Sequence, residues 1–338
     1  MAIVDPMDLV AGAEPIVPLE RRVPLEALAR DFASGRAVPD LPEVHLFRAP
    51  VRPIRVRGFE RLGAAAAEVL SAWPALGLAR DDPAEPVDVA IETLADGVRV
   101  DQRTPVPAVT DYIDAEGAAL GLIGALIAAY LARDPGLVCL HAAATRTPRG
   151  LVLTLGSTNA GKSTLAAHLV ARGLRSFGDD RILLAPDARG GDRGISLPLT
   201  HKLRLPLPDD AAPGFARFVQ ARAHVGDGEA VRLRLKPGEA ARFGAEAPLA
   251  AFVLLERVPG ASASLEPAAS GQVVRELVRQ SFAPQLDAER VLAIMIGFAA
   301  RVPGYRLVYG RSAEAAALIE AAFGAVSTLG ARDAKVPS

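Results

Sequence analysis

The chain has 338 residues, with 38 Lys and Arg against 39 Asp and Glu and a formal net charge of −1, room for about two domains and a substantial core. Half the residues are hydrophobic and 23% are charged, which excludes a mainly disordered chain, and the near-zero charge speaks against a broad nucleic-acid surface. A single cysteine, Cys139, excludes an internal disulfide, and no Cys/His cluster has zinc-ligand spacing.

The opening MAIVDPMDLV has no basic segment of the kind that starts a signal peptide. With the lone cysteine, this gives an expected cytoplasmic location. Residues 1–50 are rich in proline and predict an extended arm, with one short helix over Pro24–Ala33. Residues 51–134 predict a small α+β domain. In it, Ile54–Val56 reads as a strand and Leu62–Trp73 as a helix. Val87–Leu94 and Gly97–Val100 read as a hairpin about Asp96-Gly97, and Val106–Ile113 as an extended piece. Gly117–Ala132 is the most lipid-like stretch. As a helix it would reach about 24 Å, short of the ~30 Å hydrocarbon core, and charged residues flank it. A buried helix is expected, and no membrane partner.

Residues 135–326 predict an α/β catalytic domain, followed by a tail over 327–338. Leu137–Ala144 and Gly150–Leu155 read as strands joined by a turn at Pro148-Arg149-Gly150. The second runs into a glycine loop and a helix over Lys162–Arg172, closed by Gly173. Residues 186–245 predict long loops or a flap. Leu249–Leu255 is an expected strand, Gln272–Phe282 and Leu286–Ala300 helices, Tyr305–Tyr309 a strand and Ala313–Phe323 a helix.

Gly156-Ser157-Thr158-Asn159-Ala160-Gly161-Lys162-Ser163 matches G-x-x-x-x-G-K-[ST] in full, between a strand and a helix. The glycines let successive N–H groups turn into one concavity, and the helix N-terminus adds partial positive charge. Lys162 is placed for the outer phosphates, Ser163 for Mg²⁺, and Thr164 continues the loop into the helix. ATP and Mg²⁺ are therefore the expected cofactors, although the loop reads phosphates and leaves ATP against GTP open. A guanine-reading Asn-Lys-x-Asp is absent, and so is a full Leu-Ser-Gly-Gly-Gln.

Asp179 and Asp180 follow 17 and 18 residues after Lys162. An adjacent pair suits phosphoryl transfer: one carboxylate ligates Mg²⁺ while the other accepts the proton of an attacking hydroxyl. His141, at the end of the preceding strand, is a third candidate. Lys202 and Arg204 share a strand face opposite His201 and are candidates to hold an acceptor's anionic group, with a solvated edge strand as the ordinary alternative. Arg257, Arg301 and Arg306 are candidates to stabilise transferred charge, with surface ion pairs as the ordinary alternative. Cys139 reads as a small core residue.

His141-Ala142, the strand pair, GSTNAGKST, Gly173-Leu174 and Gly178-Asp179-Asp180-Arg181 together resemble the catalytic domain of the HPr kinase/phosphorylase family. The likeness covers residues 137–325, and Ala250–Arg257 and Arg301–Leu307 look more like its shorter HPr-kinase-related members. The resemblance implies a P-loop kinase core of the HPr kinase/phosphoenolpyruvate carboxykinase type, here with an N-terminal α+β appendage. It further implies transfer to a serine of a protein or precursor peptide, with a small hydroxylated metabolite as the alternative acceptor. On that analogy Asp179 is the base, held by His141, and Asp180 serves the metal, or the two exchange roles. An oligomer is in keeping with the family. The Glu-Ile-Arg-Gly-type segment and the Gly-Arg-Asn loop of the bifunctional enzyme are missing, so neither phosphorolysis nor HPr as acceptor carries over. A nucleotide-binding sensor or assembly module remains the alternative from another class.

Overall fold

Alternation of apolar and polar residues in short runs, punctuated by Gly and Pro, produces three sheets among the described residues, with helices between and around them. The computed structural model describes residues 44–324, except 71–72, 80, 82–83, 188, 190, 209–212 and 227. The expected helix over 24–33 and the expected tail from 327 lie outside the described residues.

The first sheet is built by β1 (Val44–Phe47), β2 (Ile54–Arg57), β3 (Ala75–Ala79), β4 (Val89–Leu94), β5 (Gly97–Gln102) and β6 (Ala108–Tyr112), with α1 (Gly63–Val69) between β2 and β3. Its order is β3-β1-β2-β4-β5-β6. The β4–β5 hairpin closes with Leu94 opposite Gly97, as the Asp-Gly turn predicts. β1 falls within the segment expected to be an arm. The helix expected over 62–73 is shorter: a 3₁₀ turn over Phe59–Leu62 leads into α1, which stops at Val69. Pro74 disfavours helical backbone at Trp73, whose ring is instead buried and donates its Nε1–H to the Arg48 carbonyl at 3.2 Å.

α2 (Ala115–Arg133) is capped by Asp114, whose side chain accepts from the Gly117 N–H. By length and composition it is a helix that could cross a membrane, but 61% of its most apolar window is buried inside the protein. Leu122, Leu126, Ile127 and Leu131 share one core with Ile91 and Val100 of the first sheet and with Leu183 and Ile195 of the second.

The second sheet begins with β7 (Val138–Leu140), β8 (Ala143–Thr147) and β9 (Gly150–Leu155), followed by α3 (Lys162–Ala171), β10 (Arg175–Gly178), β11 (Ile182–Ala185) and β12 (Arg193–Ser196). The strand expected over 137–144 is therefore two strands, broken at His141-Ala142. β7 pairs with β11 while β8 pairs with β9 and β10, so the break is where the chain changes neighbours.

Residues 186–245, expected as loops, also hold β13 (His201–Arg204), α4 (Pro213–Arg222), β14 (Ala223–Gly226) and β15 (Ala230–Leu233). These strands form a small sheet of their own, β13-β15-β14. Buried Leu203, Phe215, Val219, Val231 and Leu233 pack on Ala167 of α3. Short alternating runs between polar turns concealed this core. Glu116 of α2 ties the same sheet down through Arg232, at 2.5 Å, and Lys202, at 3.4 Å.

The remaining elements are β16 (Glu246–Arg257), β17 (Ser264–Pro267), α5 (Ser270–Gln280), β18 (Ser281–Phe282), α6 (Ala288–Arg301), β19 (Gly304–Tyr309) and α7 (Ser312–Phe323). β16 is the spine of the ten-stranded second sheet: it runs parallel to β9 and β19 and antiparallel to β12. Successive side chains of β9 face opposite sides. Val152 packs with Leu165, Leu169 and Ile319 under α3 and α7, whereas Leu151, Leu153 and Leu155 pack with Leu277, Met295 and Phe298 under α5 and α6. The protein is thus mixed α/β, with helices on both faces of its main sheet.

Leu126 is fully buried where α2 bridges the two sheets. Leu126→Ala is expected to lower the stability by about 2–5 kcal/mol, read as a fall in the urea midpoint. An unchanged midpoint would show that α2 is not the shared core helix.

Candidate active site

β9 delivers the chain to Gly156 and α3 starts at Lys162, so the expected phosphate loop lies between a fully buried strand and a helix N-terminus. Gly161, at φ +90°, is the N-cap and offers no side-chain cap, leaving first-turn N–H groups for an anion. A Cβ at Gly161 would stand 2.5 Å from the Tyr309 hydroxyl. That hydroxyl, at the end of β19, donates to the Ala160 carbonyl at 2.6 Å. Burial pushes the Tyr309 hydroxyl up to about 12, so it remains a donor at neutral pH. Ser157, Thr158 and Asn159 are exposed at the loop's crest.

Lys162 is 8% exposed. Its Nζ donates to the carbonyls of Gly156, at 2.8 Å, and Ser157, at 3.3 Å. Burial lowers its pKa, against the opposing pull of Asp180, Asp179 and Glu276.

The acids reach the loop through strand pairing. β10 lies against β8, with Gly178 opposite Ala144, whereas β11 lies against β7, with Ile182 opposite Leu140. Asp179-Asp180 is the link between them. Two details make that link tight: a Cβ at Gly178 would meet the Arg181 carbonyl at 2.7 Å, and Asp180 is left-handed at φ +72°. Continuing the antiparallel register from Ile182 and Leu140 brings Asp180-Arg181 beside His141.

The two carboxylates consequently have different surroundings. Asp179 is 3% exposed, and its Oδ1 is buried without a hydrogen-bond partner among the described residues. Burial raises its pKa, while His201, the Ser163 hydroxyl and Lys162 pull it down. Asp180 is half exposed and accepts from His141 Nε2 at 2.8 Å, with Arg181 Nη1 at 3.2 Å from its other oxygen. Its burial would raise the pKa, but the His141 hydrogen bond and the Arg181 charge outweigh it and hold the carboxyl below its ordinary value.

Lys162, Ser163, Asp179, Asp180 and His141 are thus brought together. The expected contact between His141 and Asp179 is not formed: the strand change at His141 puts its ring on Asp180. Asp179 faces His201 instead, whose Nδ1 is 3.6 Å from its Oδ2 and whose Nε2 meets the Ser176 hydroxyl at 2.8 Å. Sequence reasoning placed His201 on a strand face but gave it no role; its alternation with exposed Lys202 and Arg204 was the available signal. Gln280 and Glu276, at the end of α5, were also missed. No local motif marks them.

The remaining candidates do not meet at the loop. Arg301 forms a bidentate pair with buried Asp192 at 2.8 and 2.9 Å, and Arg306 bridges Glu256 and Glu266. Arg257 is exposed at the end of β16, and Lys202 is engaged with Glu116. Cys139 is buried, with its thiol pushed up to about 12 by burial, which suits packing rather than nucleophilic chemistry.

No protein-family model matches the chain, and no curated protein matches it. Among solved structures, the Hpr(Ser) kinase/phosphatase from Coxiella burnetii is similar at 12% identity, over 54% of this chain and 91% of that one, with a TM-score of 0.26. A likeness at that level decides neither fold nor activity.

A carboxylate oxygen buried without a donor among the described residues, beside a hydroxyl and a glycine loop at a helix N-terminus, is a donor set suited to a hard divalent cation. Without a ligand it is a burden. The folded-state pKa of Asp179 is raised, so its contribution to stability falls as pH climbs from the unfolded carboxyl value, about 3.9, through the folded one. Asp179→Asn is therefore expected to raise the melting temperature of the ligand-free protein at pH 7. The gain should shrink as pH falls and vanish only below the unfolded carboxyl value, where the wild-type side chain is neutral in both states. A melting temperature lowered at both pH values would show that the ionised carboxylate is a structural necessity.

Proposed function

We propose that the protein is an ATP- and Mg²⁺-dependent phosphotransferase that moves the γ-phosphoryl group to a hydroxyl, most fittingly a serine of a protein or precursor peptide. The observation that carries this reading is the division of labour between adjacent carboxylates at the phosphate loop. One is buried with an open oxygen beside Ser163; the other is half exposed and bonded to a histidine.

The loop N–H groups and Lys162 would hold the triphosphate. Ser163 and Asp179 would hold Mg²⁺, which when bound neutralises charge building on the phosphates. The roles within the acid pair are thus exchanged relative to the resemblance's first assignment. Asp180, ionised at neutral pH, would accept the proton of the acceptor hydroxyl as the phosphoryl group leaves ATP. Its depressed pKa makes it a modest base, which suffices because phosphoryl transfer passes through a loose transition state in which the proton can move late. His141 orients that carboxylate through Nε2. Arg181 offsets part of the negative charge.

The exposure of the pair argues for the acceptor class. The His141 and Asp180 side chains are 34% and 52% exposed. Such an open face suits a hydroxyl presented on a macromolecule, whereas a small metabolite calls for an enclosed pocket.

The test uses γ-labelled ATP, Mg²⁺ and an extract of the source organism split into macromolecular and small-molecule fractions. Wild-type protein should label the macromolecular fraction. Asp180→Asn should cut transfer by about 10²–10⁴ with ATP affinity retained, and Lys162→Ala should lose ATP binding. Label in the small-molecule fraction would make the protein a metabolite kinase. ATP binding with no label in either fraction would replace the kinase reading with that of a nucleotide sensor.

A further inference from the structure

α5 ends at Gln280, a buried residue that holds two parts of the site at once. Its backbone carbonyl accepts from the His141 N–H at 2.8 Å. The next residues, Ser281–Phe282, form β18 against β7, with Ser281 opposite Leu140. Its side-chain amide Nε2 donates to the Gly156 carbonyl at 3.1 Å and to Glu276 Oε1 at 2.8 Å. One residue thereby bonds the first residue of the phosphate loop and the backbone of the histidine that orients Asp180.

The Gly156 carbonyl has two donors, Gln280 Nε2 and Lys162 Nζ. They are not equivalent under the proposed function, because a triphosphate offers Lys162 stronger anionic acceptors than a carbonyl. Once Lys162 turns to phosphate, a buried carbonyl would be left without a partner, at a cost of about 1–3 kcal/mol, unless a second donor stays behind. Glu276 fixes the Gln280 amide in the orientation that supplies it.

We infer that Gln280 is a positioning residue: its amide holds the Gly156 carbonyl while Lys162 is transferred to the nucleotide, and its backbone keeps the loop in register with the His141–Asp180 pair. The inference rests on the proposed binding of ATP at this loop. Because the side chain acts on the loop and the backbone on His141, substituting the side chain should weaken nucleotide binding while leaving the histidine contact in place.

The experiment measures equilibrium binding of Mg-ATP by the full chain, together with amide hydrogen exchange over residues 156–163. Gln280→Met keeps the length of the side chain and removes the donor. It is expected to weaken ATP binding by about tenfold, the size of one buried hydrogen bond. Loop amides should exchange faster in the ATP-bound state, while those of β9 stay unchanged. Gln280→Asn, which keeps the amide but draws it back by one methylene, should do the same and serves if methionine is not tolerated. ATP binding and loop exchange equal to wild type in a folded variant would overturn the inference alone. Faster exchange spread over β9 and α3 would also overturn it, marking Gln280 as general packing. A wild-type chain that fails to bind Mg-ATP would remove the nucleotide reading and this inference together.

Discussion

Burying the Lys162 ammonium is the constraint around which the site is organised. A cation taken out of water costs several kcal/mol unless its protons are met, and at 8% exposure Lys162 has little water to meet them. Two loop carbonyls do so, at 2.8 and 3.3 Å, and the charges of Asp179, Asp180 and Glu276 act from further away. Those carbonyls can face inward only because the chain curls between Gly156 and Gly161. The curl in turn is held from β19 by Tyr309 and from α5 by Gln280.

The second requirement is that the acids arrive at the loop from different directions. A continuous strand would place neighbouring side chains on opposite faces. Here the sheet achieves the separation by a double change of neighbours: β7 gives way to β8 at His141, and β10 gives way to β11 at Asp179-Asp180. Both crossings occur at the same place in the sheet, which is why the histidine of one meets the carboxylate of the other. Gly178, without a Cβ, and the left-handed Asp180 are the local adjustments that allow it.

Features encoded in short stretches were legible in the sequence. The strand, glycine loop and helix over 150–171, the Asp-Gly hairpin, the buried apolar helix and the strands at Leu249 and Tyr305 follow from local periodicity or turn chemistry, whereas β17 and β18 do not. What escaped depends on pairing between distant segments. The break at His141 is invisible in an unbroken apolar run, because it reflects which strand lies alongside rather than which residues are present. Of the small sheet over 201–233, only the alternation at His201–Arg204 shows in the sequence; its partners β14 and β15 lie hidden behind proline and glycine turns. Motif and proximity single out Lys162, Ser163, Asp179, Asp180 and His141, which the fold brings together, but not the partner of each acid. Gln280 and His201 carry no motif at all; only the fold reveals that a helix end and an inserted strand reach the loop.

The charge balance of the site bears on how it would be filled. Asp179 and Asp180 act on Lys162 and Arg181, two carboxylates against two cations, while Glu276 has Arg279 at 3.6 Å as its own partner and the nearby histidines add charge only if protonated. On the proposed reading, the open oxygen of Asp179 beside the glycine loop would repel a bare triphosphate. A triphosphate that brings a divalent cation reverses the sign of that interaction, because the open oxygen of Asp179 then meets positive charge instead of phosphate. On the proposed reading, the carboxylate whose Oδ1 lacks a hydrogen-bond partner among the described residues is what would couple nucleotide binding to the metal. His201 of the inserted sheet, bonded through Nε2 to the Ser176 hydroxyl, brings its Nδ1 to 3.6 Å from that carboxylate, so the small sheet and the glycine loop meet at one buried acid.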